Sequence, residues 1–422
     1  MCSELFRIPI ELNGWPLFGW GILLAIWVIV GVTVAIYLLR KQRPAGELAG
    51  YLPGWLLGGA VLVLVPRLFP AGLPIRGYGV MFLLGSIVAM ALVLRRARQV
   101  GLDPEVILSM AFGVFVSGLV GARLFFVIEY WASRFDRGNW RAHLVEVFKF
   151  TEGGLVFYGS IIGGTFAFVL LARKHKLPVL AFADLVAPSL MVGLAFGRIG
   201  CLLNGCCYGG QTDHPWGVTF PRDSIPYVDQ LGQGSAFGIR IGSLPGENGR
   251  PSILKVDDDS AAAQAGIEPG SLLRAINGRD ALDMEVVQQS LFESMERDRP
   301  LEVTLDSGET YMLPVRRLPR SRPVHPTQLY SSINAALLAW LLWSFYPFRR
   351  RDGQVIGLLL VLYPISRFLL EIIRVDESAV FGTGLSISQN ISLLLLLGAV
   401  LLWGWLRFSP TDKPRHDFAL SP

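Results

Sequence analysis

The chain has 422 residues, of which 52% are hydrophobic and only 17% charged, and its mean hydropathy is +0.47. Soluble domains carry about 25% charged residues, so this composition excludes a soluble enzyme, and long unbroken apolar runs exclude an outer-membrane barrel built of short alternating strands. A net charge of +5, from 38 basic and 33 acidic residues, is too small to point to a nucleic-acid partner, and four cysteines are too few for a disulfide scaffold.

Crossing the hydrocarbon layer takes about 20 apolar residues in a helix. Nine runs meet that length: 15–39, 52–70, 76–95, 108–130, 154–173, 184–203, 328–347, 354–373 and 387–407. The second is crowded by Pro53, Pro66 and Pro70. The first follows Glu4 and Glu11 and not a basic segment, and it is too long for a signal-peptide core. Alternate loops are basic: Arg40/Lys41/Arg43, Arg95/Arg96/Arg98, Arg173/Lys174/Lys176, Arg349/Arg350/Arg351, and the tail with Arg407, Lys413 and Arg415. The positive-inside rule puts these in the cytoplasm. The expected topology is an all-α polytopic membrane protein of about nine transmembrane helices, with the N-terminus out and the C-terminus in. Segments 131–153, 204–327 and 374–386 then face outward.

Residues 204–327 are too long and too polar for a plain loop and must hold a folded unit. Within 252–317, Ser252–Val256, Ser271–Ile276, Leu301–Leu305 and Thr310–Val315 read as strands. Ser260–Ala265 and Asp283–Arg297 read as helices, and Asn277-Gly278 reads as a hairpin turn. The run Asp259–Leu273, followed by Ile276-Asn277-Gly278, resembles the second half of a PDZ domain. That likeness implies a small extracytoplasmic α/β insert at 234–318 and a peptide or protein ligand for it. PDZ domains bind by adding a strand at a sheet edge, and Phe237–Ile241 could supply the edge. A module that only packs on the membrane domain remains the alternative.

Ionisable residues inside spans mark function by default. Here they are Arg123, Asp184, Arg198, Arg367 and Glu371, with Arg374 just beyond. Arg367 and Glu371, four apart, share a helix face, which suits either a site or a neutralising ion pair. Several arginines near one membrane face suit an anionic phospholipid, because a guanidinium fork matches phosphate oxygens and stays charged.

Seven blocks in order resemble the bacterial phosphatidylglycerol–prolipoprotein diacylglyceryl transferase family. They are Arg76–Met81, Gly121–Leu124, Gly153–Gly163, Gly197–Gly209, His325–Tyr330, Arg367–Arg374 and Leu385–Gln389. The resemblance covers most of 75–407 apart from the insert. It implies a seven-span core, split into 75–233 and 319–408 by the insert, with two additional N-terminal helices in 1–74 and a cytoplasmic tail at 409–422. It implies a multi-pass protein of the bacterial inner membrane with an outward-facing active site. The implied reaction moves the diacylglyceryl group of phosphatidylglycerol to the lipobox cysteine thiol of a preprolipoprotein, releasing glycerol 1-phosphate, with no metal or organic cofactor. By position Tyr78, Arg198, Gly209, Arg367 and Glu371 carry over as functional residues. Arg198 and Arg367 form the expected phosphate clamp, with Glu371 orienting Arg367. Tyr78 and Tyr158 are candidate hydrogen-bonding groups for headgroup or thiol. Arg123, Asn204 and His325 are expected on the substrate-binding rim, although Pro326 also suits His325 to the start of a helix.

This chain departs from the family at Cys201, Cys206 and Tyr158, where Asn, Glu and His are common. Tyrosine, with a pKa near 10, is a poor base near neutrality, so no fixed base is assigned. The cysteines read as small-residue packing or a Cys201–Cys206 bridge, whereas a metal site would want better spacing and more ligands. Two rival classes are an intramembrane protease and an anionic-lipid transporter. The first lacks a His-Glu-x-x-His motif, and all five histidines (His143, His175, His214, His325, His416) lie outside the spans. The second is opposed only by the family blocks.

Overall fold

The computed structural model describes residues 4–41, 45–131, 147, 154, 156–243, 250–374, 379–380 and 383–408. The expected tail at 409–422 and most of the segment 131–153 lie outside them. The chain divides into two compact units, Met1–Met81 with Leu203–Gly205, and Phe82–Leu202 with Cys206–Pro422.

In the first unit, strand β1 (Glu4–Ile8) precedes a hairpin of β2 (Glu11–Leu12) and β3 (Trp15–Pro16), turned by Asn13-Gly14, both at positive φ. Asn-Gly is the pair that such a two-residue turn favours. Helix α1 runs Ile22–Arg40, and α2 runs Ala45–Leu68. Strand β4 (Leu73–Arg76) then returns antiparallel to β1, pairing Ile8 with Leu73 and Glu4 with Arg76. The expected span at 15–39 therefore starts seven residues late. Pro16 lies in a strand and Gly19 adopts φ +74°, and neither fits a helix interior. The two helices meet at Trp27 and Trp55, whose rings are 4.3 Å apart, and the Trp27 indole donates to the Trp55 carbonyl at 3.1 Å.

The remaining runs are also helical: α3 (Gly77–Gln99), α4 (Pro104–Glu129), α5 (Phe157–Lys174) and α6 (Val179–Asn204). After α7 and the insert, whose helices are α8 and α9, come α10 (Thr327–Phe345), α11 (Gln354–Glu371) and α12 (Ile387–Phe408). Among the described residues six helices, α1, α3, α4, α6, α11 and α12, are long and apolar enough to cross a membrane. The chain is thus a polytopic helical membrane protein. Helices α5 and α10 carry small and polar residues that make helix contacts. Ser117 of α4 donates to the Gly163 carbonyl at 2.9 Å, and Ser160 of α5 donates to the Gly118 carbonyl at 3.1 Å. A Cβ on Gly121 or Gly159 would strike the other's carbonyl, so this crossing requires glycine. Likewise Ser332 of α10 donates to the Ala195 carbonyl at 2.9 Å and Asn334 to Ser366 of α11 at 2.8 Å.

The apolar core joins Ile107, Met110, Phe182, Leu185, Leu342 and Val355. At its edge, fully buried Asp184 of α6 accepts the Gly353 N–H at 2.7 Å and the Ile356 N–H at 2.8 Å, capping α11 from another helix. Buried Arg349 lies 3.7 Å from Asp184 and stacks on Tyr346 at 3.8 Å, with Arg96 on the same ring at 4.2 Å. Two of the arginines that signal topology are thus also buried partners of aromatic rings.

The insert has its own apolar core, including Phe237, Ile239, Ile253, Leu273, Val287, Leu291, Val303 and Leu313. Preceded by α7 (Ile225–Leu231), it holds β5 (Ile239–Ser243), β6 (Pro251–Val256), α8 (Ala261–Gln264), β7 (Leu273–Ile276), β8 (Arg279–Asp280), α9 (Met284–Glu296), β9 (Leu301–Leu305) and β10 (Thr310–Leu313). The second sheet has the order β10-β9-β7-β8, and β5 pairs with β6. Ser260 caps α8, Asp283 caps α9, and Asn277-Gly278 makes the β7–β8 turn at positive φ. A short stem ties the insert to the helices: Val218 bridges Val324, and Pro221 bridges Arg320.

Candidate functional site

The loop after α6 is clasped between the start of α10 and the end of α11. The Gly209 N–H donates to the His325 carbonyl at 2.9 Å, His325 N–H to the Gly210 carbonyl at 2.9 Å, and Gly210 N–H to the Ile373 carbonyl at 3.0 Å. Thr327 Oγ1 donates to the Cys207 carbonyl and Gln328 Nε2 to the Cys206 carbonyl, both at 2.7 Å. A Cβ on Gly209 would lie 2.7 Å from His325 Cβ and 2.8 Å from Thr327 Cγ2, so only glycine fits. The next residue back, buried Tyr208, donates its hydroxyl to Asp229 of α7.

Gly209 also bridges Arg374, which leads directly into a charged cluster. Arg367 Nη1 lies 2.5 Å from Glu371 Oε2, one helical turn on, and Arg374 Nη1 lies 3.5 Å from the same oxygen. Arg367 Nη2 donates to Ser388 Oγ in the first turn of α12 at 2.7 Å. All three charged side chains are largely buried, Glu371 at 3% exposure. The charge of Arg198 on α6 also reaches Arg367. Among these four residues three guanidiniums meet one carboxylate, an excess of two positive charges. Arg198 itself is half-buried and makes no hydrogen bond or ion pair among the described residues. Arg367 is therefore held in place, whereas Arg198 has donors to offer an anion.

The other candidates fall in different settings. Arg123 is buried on α4, where Nε donates to the Val147 carbonyl at 2.8 Å and Nη1 to the Gly154 carbonyl at 3.0 Å, tying down the approach to α5. Tyr158 lies half-buried in the first turn of α5, its ring 6.0 Å from Phe157. Tyr78 opens α3 with its ring 43% exposed, and it lies with Asn204 in the first unit, where a Cβ on Gly77 would come 2.9 Å from Leu203 Cδ1. His325 Nδ1 lies 3.4 Å from the Tyr330 hydroxyl, and its ring is 5.7 Å from that of His214, which stacks on Trp216.

Sequence reasoning passed over Ser388, Thr327 and Gln328. Each sits inside a quoted motif block, but a hydroxyl or amide near a helix start signals capping before it signals a clasp.

A sequence profile of prolipoprotein diacylglyceryl transferases matches residues 66–405. The phosphatidylglycerol–prolipoprotein diacylglyceryl transferase of Rhodopirellula baltica is 33% identical, over 98% of this chain and 90% of its own length. An enzyme of that name, numbered 2, from Clostridium perfringens is 28% identical over 79% of this chain and 91% of its own. The Geobacter sulfurreducens enzyme is 39% identical over 37% of this chain and 59% of its own. The profile covers far more than half of the chain, and the Rhodopirellula match runs through nearly all of it; the chain belongs to the prolipoprotein diacylglyceryl transferase family.

Proposed function

We propose that this chain transfers the sn-1,2-diacylglyceryl group of phosphatidylglycerol to the cysteine thiol of a prolipoprotein lipobox. The observation that carries this reading is an Arg198 guanidinium with no hydrogen bond or ion pair among the described residues, whose charge reaches an Arg367 held by Glu371 and Ser388. The thiol sulfur attacks the glycerol carbon that bears the phosphate. A carbon–sulfur bond forms, the carbon–oxygen bond breaks, and glycerol 1-phosphate leaves with the bonding electron pair. The thiol proton passes through solvent to the released phosphate, so that the products are the thioether and glycerol 1-phosphate. Arg198 and Arg367 hold the phosphate and stabilise the charge that grows on its bridging oxygen. Glu371 fixes the direction of Arg367, and Arg374 adds to the positive field. Tyr158 supplies a hydrogen-bonding hydroxyl in the first turn of α5. Arg123 acts indirectly, by holding the backbone ahead of Tyr158. Gly209 and His325 shape the rim, Gly209 through its close packing on His325.

The basic loops support an inner-membrane topology with the insert outside the cytoplasm. The insert reads as a PDZ-like module for a polypeptide partner. Its β5 edge is partly closed, because the Ile241 and Ile239 N–H groups donate to Gln233 and Gly234 of the same chain. A ligand is better served by the cavity of about 340 Å³ between β5, α9 and the clasp, lined by Gln211, Gln230, Gln233, Arg240 and Gln288.

The reaction is tested by incubating the purified protein with phosphatidylglycerol and a lipobox peptide. Formation of the diacylglyceryl thioether with matching release of glycerol 1-phosphate supports the reading. Binding of the lipid without product would leave a transporter as the better account.

A further inference from the structure

We propose that Cys201, Cys206 and Cys207 form a three-thiolate site for one soft closed-shell metal ion, zinc(II) or copper(I). Their sulfurs all lie within 4.8 Å of one another. A metal bound through sulfur at about 2.3 Å places its ligand atoms roughly 3.8–4.0 Å apart, whether trigonal or tetrahedral. Only a small inward movement separates the present arrangement from that geometry. Spacing alone made the trio look unsuited to a metal, because Cys201 stands on a helix and the other two are neighbours in a loop. The fold removes that objection.

The backbone is held in the shape that gathers the sulfurs. The Cys206 N–H donates to the Cys201 carbonyl at 3.2 Å, which folds the loop back over the end of α6. Cys207 takes φ +59°, a conformation uncommon for residues other than glycine and retained where surrounding structure enforces it. The enforcement is visible in the Gln328 and Thr327 side chains, which grip the Cys206 and Cys207 carbonyls at 2.7 Å. A disulfide would use two of the three sulfurs, and a bridge between the neighbours Cys206 and Cys207 would be strained. A soft ion uses all three. On binding, each thiol yields its proton to solvent and becomes a thiolate ligand; no electron is transferred. The ion would pin the end of α6 to the loop that carries Gly209.

The test uses the full-length protein, purified under reducing, anaerobic conditions and offered zinc(II) or copper(I) separately. Bound metal is measured by mass spectrometry after desalting, and cadmium(II) is used to read thiolate charge-transfer absorption. One ion per chain is expected, with a rise in melting temperature that a chelator reverses. Cys201→Ser, Cys206→Ser and Cys207→Ser should each retain less than about a tenth of the metal, whereas Cys2→Ser should retain all of it. Full metal retention in any of the three variants would overturn the site. So would less than about a tenth of an equivalent in the reduced parent protein, or a Cys201 disulfide to either partner found by peptide mapping of protein purified without reductant.

Discussion

Replacing Asp184 by alanine should weaken the helical core without touching the proposed chemistry. Its carboxylate accepts the N–H groups of Gly353, the α11 cap, and of Ile356, at 2.7 and 2.8 Å, and faces Arg349 at 3.7 Å, with both charged side chains fully buried. Loss of a helix cap costs about 0.5–2 kcal/mol, and stranding a buried charge about 3–5 kcal/mol. Arg349 keeps Asp352, also at 3.7 Å and partly exposed, so the lower part of that range applies. A total near 4 kcal/mol corresponds to a fall of roughly 8–16 °C in melting temperature at the about 2–4 °C per kcal/mol of a 150–250-residue chain, and to the lower end of that range for this longer one. Asp184→Asn keeps one acceptor oxygen and should lose about half as much. Thermal unfolding of the detergent-purified variants measures both. A melting temperature for Asp184→Ala within a degree or so of the parent would refute the reasoning that this carboxylate fastens α6 to α11.

Gly121→Ala should disrupt the α4–α5 crossing, since the new methyl meets the Gly159 carbonyl; about 1–3 kcal/mol of destabilisation is expected in the same unfolding assay. Excising 234–318 with a short linker should leave transfer to a minimal lipobox peptide largely intact, because the insert has a separate core and the cut spares Asp229 and Gln230, which bond Tyr208 and Arg322. Equal and complete loss of activity on short and full-length substrates, in a folded variant, would show that the insert builds part of the site. A single cysteine engineered into the insert of a variant stripped of its native cysteines should react with an impermeant thiol reagent in intact spheroplasts; labelling only after lysis would reverse the orientation.

What the sequence made legible is what depends on local pattern. All nine apolar runs are helices, and the strands and turns of 252–317 fall within a few residues of their expected places, because hydropathy, Asn277-Gly278 and the caps Ser260 and Asp283 act over short distances. The i,i+4 spacing of Arg367 and Glu371 likewise foretold their contact. What stayed hidden depends on distant partners. Asp184 stands 169 residues from the N–H it caps in Gly353, and Gln328 stands 122 from the carbonyl it holds. The N-terminal strands were missed because apolar content ran on from Trp15 into the first helix.

The reading proposed above stands or falls with Arg198, which makes no hydrogen bond or ion pair among the described residues and is proposed to engage the phosphate of the lipid donor. The most direct measurement is the rate of thioether formation by Arg198→Ala and Arg198→Lys, with melting temperatures recorded alongside. Charge-assisted bonds of about 1.5–3 kcal/mol each predict a loss of at least roughly tenfold to a hundredfold for alanine, only partial recovery with lysine, whose point charge lacks the fork, and unchanged thermal stability. Parent-level transfer by Arg198→Ala would contradict the account.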